Sequence, residues 1–214
     1  MTSDPSGKPL LRGVLHHSAA WFSLGAGAGL VATASTARAA IAAGVYCLSL
    51  VTLFAVSAIY HRVQWSPPAR ARMRRADHAS IFVLIAGTYT PVSLYALGED
   101  DGRRMLILIW SFAAAGVLLS LFWPKAPKVL TALVAVAMGW MIVPYFKQVR
   151  GLLGESVWVI LAGGIVYTIG AIVYALKRPD PWPRVFGYHE VFHSLTLVGA
   201  FLHFGVIVYI VRSS

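Results

Sequence analysis

The sequence predicts an all-α membrane protein, a bundle of seven transmembrane helices with the N-terminus in the cytoplasm and the C-terminus outside. Three observations carry this reading. Of the 214 residues, 58% are hydrophobic and only 12% charged, where soluble chains carry about 25% charged residues. Mean hydropathy is +0.70. The apolar residues also gather into runs that approach or exceed the roughly 20 residues a helix needs to cross a hydrocarbon core about 30 Å thick. A soluble fold of this length has no interior large enough for so much apolar surface, so lipid must cover it.

The seven runs follow in order. The first, 14–34, comes after Lys8 and Arg12. With Thr36-Ala37-Arg38-Ala39 behind it, it imitates a secretory leader and its small-residue cleavage site. It is longer than a leader core, however, and Arg38 interrupts the site, so it reads as a retained helix. The second run, 39–61, ends at a basic segment, 62–75. The third, 78–97, contains Pro91, which membrane helices tolerate where neighbours satisfy the freed carbonyl. The fourth, 105–123, follows the charged turn 99–104. The fifth, 129–146, lies beyond the break at 124–128 and carries Pro144 near its end. The sixth is 156–176, after the polar stretch 147–155, and the seventh is 187–211, after 177–184. Residues 1–214 read as one seven-helix domain whose residues 1–13 form a short cytoplasmic segment, without internal repeats.

Orientation follows from basic residues near helix ends, which favour the cytoplasmic side. With the N-terminus inside, the inner segments hold Lys8, Arg12, Arg62, Arg70, Arg72, Arg74, Arg75, Lys125, Lys128, Lys177, Arg178 and Arg184. The outer segments hold half as many: Arg38, Arg103, Arg104, Lys147, Arg150 and Arg212. The net charge of +10 is thus explained by topology and anionic lipid. Membrane lipids are the expected partner and nucleic acid is not. The single cysteine, Cys47, excludes an intrachain disulfide.

Ionisable groups at membrane depth are costly and mark function by default. Six of the seven histidines fall at the predicted cytoplasmic ends of their runs: His16, His17, His61, His78, His189 and His193. Within HEVFH, residues 189–193, positions i and i+4 share a helix face. His189 and His193 therefore present two imidazoles to one point, and His61 can add a third from the adjoining end of the second run. Three protein nitrogens with a fourth position left for water are the pattern of a catalytic zinc site. The expected metal ligands are His61, His189 and His193, the expected cofactor is Zn2+, and no organic cofactor is expected. Ser57 shares a face with His61 in SAIYH and can serve the site or merely pack between helices. Asp77 can orient water or a ligating imidazole, or cap the third helix. His16, His17 and His78 read as interfacial groups. His203, about 15 Å further along its helix than His193, is too distant to share a metal.

HEVFH also matches the H-E-x-x-H pattern of zinc proteases. No Asp or Glu follows His193, and positions 196 and 199 are Thr and Gly, so the downstream ligand of those enzymes is missing. Glu190 is also about 100° around the helix from His189. The protease reading is set aside.

Several longer pieces resemble the hemolysin III family, bacterial members of the progestin and adiponectin receptor group, itself related to alkaline ceramidases. They are SAIYH (57–61), RRADHASIFVLIAGTYTP (74–91), GWMIVP (139–144), VYTIGAIVYALKRP (166–179) and FGYHEVFHSLTLVGAFLHF (186–204). The resemblance covers nearly the whole chain. It implies a seven-helix bundle in the bacterial inner (plasma) membrane with zinc near the cytoplasmic face. Carried over position by position, His61, His189 and His193 hold the metal, Asp77 acts through water and Ser57 belongs to the same site. The expected function is a zinc-dependent hydrolase that attacks a lipid amide or ester with activated water, Asp77 and Ser57 being catalytic and an acyl lipid the substrate. The alternative is a non-catalytic membrane protein, pore-forming, lipid-sensing or acting on membrane energetics, with structural zinc.

Overall fold

A computed structural model describes residues 8–123 and 127–214; Lys125 and residues 1–7 lie outside them. Eight α-helices make up nearly all of the described chain: α1 Val14–Ala32, α2 Ala37–Arg62, α3 Pro67–Tyr95, α4 Glu99–Phe122, α5 Lys128–Gly139, α6 Phe146–Leu153, α7 Val157–Leu176 and α8 Tyr188–Arg212. Among the described residues there is no β-strand, only an isolated bridge between Trp182 and Phe186. Four segments are long and apolar enough to cross a membrane by length and composition alone: Ala37–Arg62, Glu99–Phe122, Val129–Leu176 and Tyr188–Arg212. Large apolar side chains face outward, with Phe122 80% and Phe201 71% exposed. Such surface belongs against lipid rather than water. This is a multi-pass integral membrane protein.

Local sequence explains where the helices start and stop. Thr36 accepts a hydrogen bond from the Ala39 amide at 3.1 Å and caps α2. Pro67 and Pro68 open α3, where a missing N–H costs nothing. The basic stretch read as a break, 62–75, is therefore mostly helix, and α3 begins well before the predicted 78. Glu99, Asp100 and Asp101 occupy the first turn of α4, where carboxylates complement the positive end of the helix dipole.

The fifth predicted run is not one helix. α5 ends at Gly139, a 3-10 turn spans Val143–Tyr145, and the short α6 follows. Pro144 cannot donate to a continuing helix, and Tyr89 stabilises the break from outside. Its hydroxyl lies 3.0 and 2.9 Å from the carbonyl oxygens of Met138 and Gly139 and accepts from the Ile142 amide at 3.0 Å. One side chain thus satisfies backbone groups that the interrupted helix leaves unpaired. Within the polar stretch 147–155, α6 buries Val149 and Leu153.

Packing runs mainly through α1 with α2, α2 with α3, α3 with α4 and α7 with α8, and α8 also touches α1, α2 and α3. Gly27 lies so close to α2 that a Cβ there would meet Cys47 Cβ at 2.8 Å, an approach that small residues permit between membrane helices. The start of α1, the end of α2, the third turn of α3 and the start of α8 consequently share one end of the bundle.

Candidate metal centre

At that shared end lie His61, His189 and His193. His61 closes α2, while His189 and His193 occupy the first two turns of α8. One ring nitrogen from each lies within 4.8 Å of the others, and the Nε2 atoms of His61 and His189 are 3.1 Å apart. Tetrahedral zinc with Zn–N bonds of about 2.0–2.1 Å requires its ligand nitrogens roughly 3.3 Å from one another. The 3.1 Å separation is close to that value, the other pairs lie within 4.8 Å, and the donor set is three imidazoles. The three histidines can therefore hold a metal ion, and His61 and His193 are buried to do so.

Backbone and side-chain details fix these positions. Gly13 has φ 76°, and a Cβ there would lie 2.8 Å from His61 Cβ. Glycine is thus required both for the left-handed turn and for the contact between the start of α1 and the end of α2. Leu10 and Leu11 donate backbone hydrogen bonds to the Arg184 and Val185 carbonyls at 3.0 and 3.1 Å. Asp180 Oδ1 accepts from the Tyr188 amide at 2.8 Å, holding the entry to α8. Lys8 donates to the His61 carbonyl at 3.4 Å.

Glu190 takes no part in the histidine cluster. Its side chain is 1% exposed; one carboxylate oxygen pairs with Arg12 and the other accepts from the Gly187 amide at 2.9 Å. The acid of HEVFH is a cap of α8 and an anchor for the N-terminal segment. Arg12, read from sequence only as a topology charge, is its partner.

Asp77 does not open α3, which begins at Pro67, so the capping alternative is overturned by the earlier helix start. Asp77 and Ser57 line the same cavity beside the histidines. Ser57 Oγ lies 2.9 Å from His16 Nδ1. His16 is buried, and its ring stacks on that of His193 at 3.8 Å with an interplanar angle of 3°. The interfacial expectation for His16 is therefore corrected: it belongs to the cluster. The sequence does carry a signal for this, because His16 heads a face of small residues, Ala19, Ser23 and Gly27, that is buried along α1. His17, one residue on, is exposed. His78 is half-buried beside the cluster.

A cavity of about 640 Å³ opens from these groups. His16, Ser57 and Asp77 line it near the cluster, and Trp140, Tyr167 and His203 line it deeper in the bundle. His203 Nε2 lies 3.1 Å from the Ile160 carbonyl oxygen. Since His193 and His203 are both on α8, the cavity runs at least about 15 Å along that helix.

Fold and site together define an all-α membrane protein with a three-histidine centre at one end of its bundle. The family described as Haemolysin-III related matches residues 6–204, and the chain belongs to it. It is 32% identical over 181 residues to Hemolysin-3 of Bacillus cereus, covering 84% of this chain and 80% of that protein. It is 31% identical over 170 residues to the Hemolysin-3 homolog of Bacillus subtilis (strain 168), covering 78% and 76%. A more distant relative is the adiponectin receptor protein of Drosophila melanogaster, 26% identical over 184 residues, which cover 75% of this chain and 40% of that one.

Proposed function

We propose that the protein is an intramembrane zinc-dependent hydrolase acting on an acyl lipid amide or ester. The observation that carries this is the opening of a three-imidazole cluster into a long cavity whose wall also holds a carboxyl and a hydroxyl, Asp77 and Ser57. His61, His189 and His193 are the zinc ligands in this reading. Bound there, zinc supplies a water of pKa about 7 and polarises a substrate carbonyl.

The remaining chemistry falls to the chain. Asp77 orients the attacking water and takes its proton, then returns it to the leaving group. Ser57 offers its single hydroxyl proton to the oxygen on which charge develops. For that proton to be available, His16 must be the tautomer that donates from Nδ1 to Ser57 Oγ. His193 is held flat by His16, which limits the rotation of a ligating ring. The deeper cavity, lined by Leu84, Ile85 and Val136 among others, excludes water and accepts a hydrocarbon chain.

The same reading has the chain cross the membrane seven times, α5 with its 3-10 continuation counting as one crossing, with the N-terminus inside. The twofold excess of basic residues on the inner side supports this orientation, and the bacterial relatives support an inner-membrane location.

A second reading is a haemolytic or lipid-sensing membrane protein in which zinc is structural, and the names of the Bacillus relatives favour its haemolytic form. Replacing His189 or His193 by Ala separates the two. The hydrolase loses metal and lipid turnover together; if leak of liposomes or red cells survives metal loss in a folded variant while no lipid is turned over, the second reading stands.

A further inference from the structure

The cavity has a charged mouth that the hydrolase reading does not use. Arg70, Arg74 and Arg75 line it beside the histidine cluster, together with Lys8 and Arg12. Arg12 is committed to Glu190. None of Arg70, Arg74 and Arg75 has a carboxylate within ion-pairing distance among the described residues, and Arg75 Nε is buried without a hydrogen-bond partner. Asp77 is the one carboxylate among the described residues lining the cavity.

Topology alone does not explain this placement. Arg70 and Arg74 lie one turn apart on α3, and these two and the partly buried Arg75 all line the cavity. Arg72, half a turn from both Arg70 and Arg74 on α3, and Arg62, at the end of α2, do not line it. A cytoplasmic charge bias would be met equally by arginines on any face. Guanidinium groups present a planar fork of donors that matches a phosphate and binds it by charge-assisted hydrogen bonds.

Beyond the arginines the cavity turns apolar and continues toward His203, and its volume of about 640 Å³ lies within the range of roughly 300–1,000 Å³ usual for sites that enclose an organic ligand. A ligand that satisfies both ends carries a phosphate and one long hydrocarbon chain.

We propose that Arg70, Arg74 and Arg75 bind the phosphate-bearing headgroup of a single-chain lipid whose chain lies in the cavity toward His203. This names the substrate class of the proposed hydrolase and rests on that reading only for turnover, not for binding.

The test measures binding to the full chain in phosphatidylcholine nanodiscs. The probe is an ether lipid, 1-O-octadecenyl-glycerol 3-phosphate, which has no acyl carbonyl to hydrolyse. It is compared with the neutral 1-O-octadecenyl-glycerol and with glycerol 3-phosphate. The phosphate lipid is expected to bind about tenfold tighter than the neutral one or better, the usual scale for charge-assisted hydrogen bonds. Arg74→Gln with Arg75→Gln removes most of that preference. Arg74→Lys with Arg75→Lys keeps much of it, which separates loss of charge from loss of fold, and Arg72→Gln leaves it unchanged. Equal affinity for the charged and neutral lipids, or a preference that survives the double glutamine variant, overturns the proposal. Glycerol 3-phosphate binding as tightly as the lipid overturns it too, in favour of a soluble phosphate ester. Failure of hydrolysis in the wild-type protein would leave these binding results untouched, so the two readings fail separately.

Discussion

His16 lies flat against His193, ring centroids 3.8 Å apart and planes 3° from parallel, while its Nδ1 sits 2.9 Å from Ser57 Oγ. One side chain from α1 thus braces a residue of α8 and one of α2. Partners that orient metal-ligating imidazoles typically contribute 10–100-fold to metal affinity or activity. His16→Ala is expected to weaken zinc binding by roughly that factor, read by competition with a chelator. His17→Ala, on the exposed side, leaves affinity unchanged.

Glu190 separates this protein from the zinc proteases its pentapeptide imitates. Glu190→Ala leaves Arg12 and the Gly187 amide without their acceptor. Breaking a buried ion pair costs about 3–5 kcal/mol, and less here because Arg12 is 20% exposed. The expected outcome is a lower midpoint of thermal denaturation in detergent with zinc stoichiometry retained. A zinc-loaded variant of normal stability with abolished turnover would instead put Glu190 in the chemistry.

Gly13 gives a geometric test of how the cluster is held. Gly13→Ala places a methyl group against His61 Cβ in a left-handed conformation and is expected to lower both stability and zinc affinity. Gly25→Ala is the control: nothing lies within 4 Å of its Cβ position, and it sits inside α1, where alanine gains about 0.5–1 kcal/mol over glycine.

Tyr89→Phe removes the hydroxyl shared by Met138, Gly139 and Ile142. Leaving those buried backbone groups unsatisfied is expected to cost about 1–3 kcal/mol, measured by thermal denaturation, with zinc content unchanged.

Helical spacing within single elements is the part of the site that the sequence discloses. Ser57 with His61, and His189 with His193, are i, i+4 pairs, so each pair is legible from its spacing alone. Convergence of α2 and α8 requires only that their ends share one side of the membrane. What stays hidden depends on contacts between elements. His16 and His17 are adjacent and chemically identical, and only the buried small-residue face of α1 distinguishes them. Arg12 and Glu190 are 178 positions apart, and nothing local links them. The early start of α3 is concealed because a basic stretch looks like a loop when polarity is the guide, although Pro67 and Pro68 mark a helix start. The end of α5 at Gly139 is concealed because hydropathy does not change there; the break is stabilised by Tyr89 from another helix.

Whether the histidine cluster holds zinc for lipid hydrolysis is decided by metal analysis and acyl-lipid turnover, measured on the same preparations of wild type, His189→Ala and His193→Ala. About one zinc per chain is expected in the wild type, with simultaneous loss of metal and turnover in both variants and the helical fold retained. Turnover that persists in folded, zinc-free protein would contradict a zinc-dependent mechanism.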